Sequence, residues 1–129
     1  MSEIINELYE KEEEIRKFTS KLVNFSFDSL IKIGHFYYSL DEKGTNINLL
    51  KENFRKFDKV KLISERKHKN GKISHDFYYE LEDGTYLVYG IAFDDKYNKP
   101  ILLNGFKVDR NFKHFKKNLL KAYKKQLIG

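Results

Sequence analysis

Ile4, Ile5, Leu8, Ile15, Phe18 and Leu22 recur at spacings that suit one side of a helix, which predicts a helix over residues 3–22 with the run 10–14 on its solvated face. A second helix is predicted over 27–40, capped by Ser26 and burying Leu30, Ile31, Ile33, Gly34 and Tyr37. The stretch DEKGTN breaks that period, and a shorter third helix after Asn46 aligns Leu49, Leu50, Phe54 and Phe57. From residue 60 the period becomes two. Residues 60–67, 72–81, 85–93 and 101–108 are rich in β-branched and aromatic side chains and read as strands. Asn70-Gly71 and Asp83-Gly84 suit tight two-residue hairpin turns, and the longer, polar DDKYNKP leads to a fourth strand beginning just after Pro100. Residues 111–127 complete the chain as a basic amphipathic helix packed through Phe112, Phe115, Leu119, Leu120 and Tyr123. The expected fold is α+β: N-terminal helices, a four-stranded antiparallel meander sheet and a C-terminal basic helix.

Two-residue turns fix a register. They set Arg66 opposite His75, Ser64 opposite Phe77 and Leu62 opposite Tyr79, so one face reads Val60, Leu62, Phe77, Tyr79, Leu81, Tyr86 and Val88. Helices cover such a face. Arg66, His68 and His75 gather at its polar end, while Lys61 pairs with Glu80 and Glu65 lies beside Asp76 on the opposite face. A slip of one residue would separate these groups.

The 129 residues make one domain, 1–129, with a single core. A composition 40% hydrophobic and 34% charged, with one proline, excludes wholesale disorder or a collagenous repeat. Absence of cysteine excludes disulfides, thiolate metal sites and cysteine nucleophiles. No apolar run approaches the roughly 20 residues that cross a bilayer, and the start MSEIINELYEKEEE lacks the basic flank and apolar centre of a secretory signal. The expectation is a cytoplasmic protein without membrane contact.

Charge is unevenly placed. Residues 1–50 carry 6 basic and 9 acidic side chains, whereas residues 51–129 carry 19 and 10. Lys107, Arg110, Lys113, Lys117, Lys121 and Lys124 belong to the densest positive segment, and helical spacing aligns the last four for phosphate contacts. The partner so implied is RNA or an acidic protein, and an ordinary solvated helix face has the same composition. Tyr78, Tyr79, Tyr86 and Tyr89 offer rings to bases, although two-sided packing of a sheet also accounts for them.

Arg66, His68 and His75 supply a minimum set for metal-independent RNA scission. An imidazole exchanges protons near neutral pH and a guanidinium neutralises phosphate. In this reading His75 transfers the proton and Arg66 clamps the phosphate, with His68 and Tyr79 as assistants; a surface or locally hydrogen-bonded role for all four is the bland rival. Glu65 and Asp76 fall on the face opposite the two imidazoles, which argues against a metal site. His35 reads as structural. The chain has no Gly-rich phosphate loop, HExxH pair or nucleophile elbow, and no cofactor is expected. Gly90 and Gly105 sit inside strands, where a glycine permits a bulge or close approach.

The stretch KPILLNGFKVDRNFKHFKKNLLKAYK resembles the closing strand and following segment of the RelE and HigB superfamily of bacterial ribonuclease toxins, with Leu102, Leu103, Gly105, Phe106 and Lys107 at matching positions. That resemblance implies an antiparallel sheet, RNA cleavage often associated with ribosomes, and inhibition by an antitoxin. The family opens on a strand followed by helices, where the periodicity here predicts a helix. The leading expectation is a small basic RNA-directed protein, a toxin-like metal-independent endoribonuclease in its enzymatic form. The alternative is a noncatalytic protein-interaction inhibitor of phage-encoded, immunity or antitoxin-like type. A homodimer formed through Leu8 and Ile15 is a third arrangement.

Overall fold

The computed structural model describes residues 4–94 and 99–128. It opens with a strand, β1 (Ile4–Tyr9), followed by α1 (Glu12–Thr19), a two-residue strand β2 (Ile31–Lys32), α2 (Gly34–Lys43) and α3 (Ile47–Asn53). Four strands follow, β3 (Val60–Lys67), β4 (Ile73–Glu80), β5 (Tyr86–Asp94) and β6 (Lys99–Val108), and α4 (Phe112–Ile128) closes the chain. All six strands join one sheet in the order β1-β3-β4-β5-β6-β2. β1 runs antiparallel to β3 and β2 parallel to β6, so the sheet is mixed. The fold is α+β, but the expected four-stranded meander is only its centre.

The N-terminal third departs most from expectation. The helix predicted over 3–22 survives only as α1, because its first part covers the otherwise open edge of β3. Ile4, Ile5 and Leu8 satisfy helical spacing, yet as a strand the segment sends Leu8 to the cluster around Phe112 and Tyr9 to the main core. Ile15 is buried as well. The apolar positions expected to join two copies, Leu8 and Ile15, are therefore used within one chain. The helix predicted over 27–40 also divides. Ser26 is a cap, but of a single 3-10 turn over Phe27–Ser29 in which Ser26 and Ser29 bond reciprocally. Ile31 and Lys32 then run beside Ile101 and Leu102, and α2 begins only at Gly34. Phe36 is its fully buried residue, while Ile33 and Tyr37, expected inside, are exposed. α3 starts behind its predicted cap, with the Asn48 N–H donating to Asn46 Oδ1 at 2.9 Å. Pro100 lies within β6 opposite Phe93 rather than before the strand. Residues 95–98 of the DDKYNKP connection lie outside the described residues.

Both hairpins turn at the predicted glycines, but each loop has three residues. The His68 N–H donates to the Lys72 carbonyl at 2.8 Å and the Gly71 N–H to the His68 carbonyl at 2.9 Å. Leu81 and Thr85 close the second loop in the same way, at 2.8 Å. Gly71 and Gly84 occupy the third loop position with φ of 84° and 87°, the left-handed conformation that this loop length requires. The extra residue shifts the register by one. Arg66 is opposite Ser74, Glu65 opposite His75 and Ser64 opposite Asp76. Hence the expected pairs Arg66–His75, Ser64–Phe77 and Glu65–Asp76 do not form, the same shift sets Leu62 opposite Tyr78 instead of Tyr79, and a bulge between Val60 and Leu62 brings Val60 opposite Tyr79.

The sheet buries both faces. Ile63, Phe77, Tyr79, Leu87, Tyr89, Ile91 and Leu102 meet Ile15, Leu22, Phe36, Leu50 and Phe54 from the helical side. The Tyr79 and Tyr89 hydroxyls donate to the Phe54 and Leu50 carbonyls at 2.7 and 2.5 Å, satisfying acceptors at the end of α3. On the second face Leu62, Tyr78, Tyr86 and Val88 pack under Phe112, with Phe115 and Leu119 alongside. α4 crosses that face toward β1, where the Tyr123 hydroxyl donates to Glu7 at 3.2 Å and the Gln126 amide to the Ile5 carbonyl. The part of the face around Gly90 and Asn104 is left open.

Candidate functional site

That open part is a cavity of about 430 Å³. Arg66, His68, Ser74, Asp76 and Asn104 form its polar end, while Val88, Phe106 and Phe115 contribute apolar walls and His35 reaches it from α2. The three-residue loop creates the polar end, since the register it imposes turns Arg66, Ser74 and Asp76 to the same face. Arg66 Nε donates to Asp76 Oδ2, with the two side chains 29% and 11% exposed. Burial disfavours the Arg66 charge, but the adjacent Asp76 carboxylate outweighs it and holds the guanidinium protonated more firmly than a free arginine. Burial and the same carboxylate raise Tyr78 above the ordinary phenol value, so its hydroxyl stays neutral; it lies 3.3 Å from Ser64 Oγ. His68 Nε2 lies 2.8 Å from Ser74 Oγ.

Asp76, Gly90 and Asn104 are direct cross-strand partners on β4, β5 and β6. Gly90 has no side chain to keep its neighbours apart. A Cβ there would collide with Asn104 Oδ1 and stand 3.1 Å from Asp76 Oδ1, so carboxylate and carboxamide share the space a larger residue would fill. Asn104 Oδ1 is buried without a hydrogen-bond partner among the described residues.

Of the residues singled out for catalysis, Arg66 and His68 meet in this cavity and His75 and Tyr79 do not. The one-residue shift sends His75 to the opposite face. There it packs against Phe18 and Phe93, at ring-centroid distances of 4.7 and 6.0 Å, with Nε2 3.2 Å from Glu65 Oε1. Burial lowers its affinity for a proton despite Glu65. The proposed division of labour between His75 and Arg66 is therefore corrected: the sheet separates them. Tyr79 is fully buried with its hydroxyl committed to α3, and burial drives its ionisation far above the ordinary range. It is a core residue. Tyr78, Tyr86 and Tyr89 are buried too, so none of these four tyrosines offers a broad ring face to a base. The expected segregation of carboxylates from imidazoles also fails, because Glu65 accompanies His75 on one face and Asp76 accompanies His68 and Arg66 on the other.

The basic residues divide similarly. Lys113, Lys117, Lys121 and Lys124 are exposed along α4. None has an ion-pair partner among the described residues, whereas Lys116 turns to Glu10 at 3.4 Å. Arg110 is exposed just before the helix. Lys107 stands apart: alternation with Phe106 and Val108 directs it to the other face, and its Nζ lies 3.0 Å from Asp109. Sequence reasoning missed Ser74, Asp76, Asn104 and His35 as cavity residues. Gly90 was the available signal, a glycine inside a strand flagged for close approach but not tied to the polar residues beside it.

The chain matches no family model, no curated protein and no solved structure.

Proposed function

We propose that the protein is directed at RNA, with the exposed lysines of α4 contacting the phosphate backbone and the neighbouring cavity receiving a nucleotide. The observation that carries this reading is that both features lie on one side of the sheet, where Phe115 of the lysine-bearing helix also walls the cavity. A sequence-independent track beside a pocket with hydrogen-bonding groups is a working division for single-stranded nucleic acid. In the enzymatic form, a toxin-like endoribonuclease, His68 takes the proton-transfer role first given to His75, and the α4 lysines, rather than the Asp76-paired Arg66, neutralise the phosphate. The ribose 2′-oxygen attacks phosphorus as its proton leaves, the bond to the 5′-oxygen breaks as that oxygen gains a proton, and a cyclic phosphate remains.

The test is incubation of end-labelled structured and single-stranded RNA with protein in excess EDTA, beside His68→Ala and a Lys117→Glu, Lys121→Glu double variant. RNA retention falls with salt, with a logarithmic slope of about −3 if four lysines meet single-stranded phosphates, and the double variant reduces that slope by about half. Fragments with cyclic phosphate ends made by the wild type and not by His68→Ala support the enzymatic form. Binding without cleavage leaves a noncatalytic RNA binder, and no retention at low salt overturns the RNA reading. A protein-directed inhibitor is the second reading, favoured by Tyr37 and Tyr38, which are 52% and 66% exposed on α2 beside exposed Ile33.

A further inference from the structure

The polar end of the cavity has an order that selects among bases. Arg66, on one side of Asp76, is a donor only; Asp76, paired with it, is an acceptor; and Asn104 approaches Asp76 from the other side, across Gly90. Asn104 Oδ1 shares the space over Gly90 with Asp76 Oδ1 and is buried without a partner among the described residues. A buried acceptor facing another acceptor is unfavourable, so turning this amide over, with Nδ2 donating to Asp76 and Oδ1 accepting from a ligand donor, recovers hydrogen bonds rather than breaking one. The sequence of groups presented to a ligand is then donor, acceptor, acceptor.

The complementary edge is acceptor, donor, donor. Among the four RNA bases only guanine offers it, through the adjacent O6, N1–H and N2–H2. Uracil alternates acceptor and donor and sets a carbonyl against Asn104 Oδ1; cytosine and adenine each lack the second donor. The remainder of the cavity suits a planar ring. Val88, Phe106 and Phe115 supply apolar walls, and a volume of about 430 Å³ falls within the range of small-ligand sites. Lys43 Nζ stands 4.5 Å from the Phe106 ring centroid, setting a cation beside that wall for a nucleotide phosphate.

The geometry points to the cavity as a guanine-specific nucleotide pocket, in which O6 accepts from Arg66, N1–H donates to Asp76 and the N2 amine donates to Asn104. This inference rests on the RNA reading for its biological setting, but its chemistry is testable on mononucleotides. It places specificity in residues that the phosphate-binding helix does not contain.

The experiment titrates wild-type protein with GMP, AMP, CMP, UMP and inosine monophosphate by nuclear magnetic resonance, in parallel with a mixed-sequence single-stranded RNA. GMP is expected to bind about tenfold or more tightly than AMP, CMP and UMP, the discrimination that one well-placed pair of base contacts gives. Inosine monophosphate, which lacks the N2 amine, falls between. Asn104→Leu brings GMP down to the inosine level, and because Oδ1 has no partner to lose, the variant remains folded; its dispersed spectrum is the control. RNA binding with all mononucleotides equal, or with another base preferred, overturns the guanine pocket and leaves the RNA reading standing. Selective GMP binding without RNA retention supports the pocket and removes the RNA reading. Failure of both ligands overturns both.

Discussion

Gly90 shows how one missing side chain organises the cavity. Its neighbours on both sides, Asp76 and Asn104, already fill the position of a Cβ. Gly90→Ala is therefore expected to cost about 1–3 kcal/mol, the usual penalty for overpacking, and urea unfolding measures it. His75 supports a second prediction at this scale. Burial favours its neutral form even though Glu65 opposes the effect, while Lys21 acts with burial. An imidazole with a lowered folded pKa contributes fully above its unfolded value of 6.5 and loses that contribution as pH falls from there toward the lowered value. Stability should thus decline below about pH 6.5 in the wild type. In His75→Gln the decline should shrink, which paired urea titrations at pH 7.5 and pH 5 would reveal; an unchanged decline assigns it to other groups.

Elements were legible where periodicity had a single interpretation. The four strands β3 to β6 and the helix α4 fall within a few residues of their predicted bounds, because alternation over eight or more residues fits no helix. Ile4, Ile5 and Leu8 were ambiguous: three apolar residues satisfy helical and extended geometry alike, and the deciding factor, an edge of β3 to cover, lies about 60 residues further along. The hairpins were legible as turns but not in length. A glycine after Asn70 or Asp83 serves a two-residue turn and a three-residue loop equally well, and choosing the shorter inverted every face of the predicted hairpin. That inversion put His75 with Arg66 on paper and hid Asp76 and Ser74 from the site. The loop geometry is itself testable. No heavy atom lies within 4 Å of a Cβ built on Gly71, so Gly71→Ala probes its φ of 84° without a steric term. A loss of about 1 kcal/mol, or a few degrees in Tm, is the expected result.

At the scale of the whole molecule, α4 links the two halves of the proposed function. Phe112 anchors it with 1% exposure, and Phe115 stacks on Tyr86 at 4.8 Å while facing the cavity. Phe112→Ala should cost about 3–5 kcal/mol and loosen the lysine track and the cavity wall together. In calorimetry and RNA retention the two losses should appear in one variant, whereas Lys117→Glu with Lys121→Glu reduces retention and leaves unfolding nearly unchanged.

The placement of β1 beside β3, with Gln126 of α4 bonded across to Ile5, also has a consequence for synthesis. β1 is made well before its partner β3, and Gln126 of α4, which bonds to Ile5, is made later still. Closing such long loops carries an entropic cost before pairing returns any stability, and it slows folding. An emerging chain therefore holds Ile4–Tyr9 without a partner until β3 arrives. During that interval the apolar residues of the segment are available to any sheet edge nearby, so this part of the nascent protein is most vulnerable to mispairing before β3 has been built.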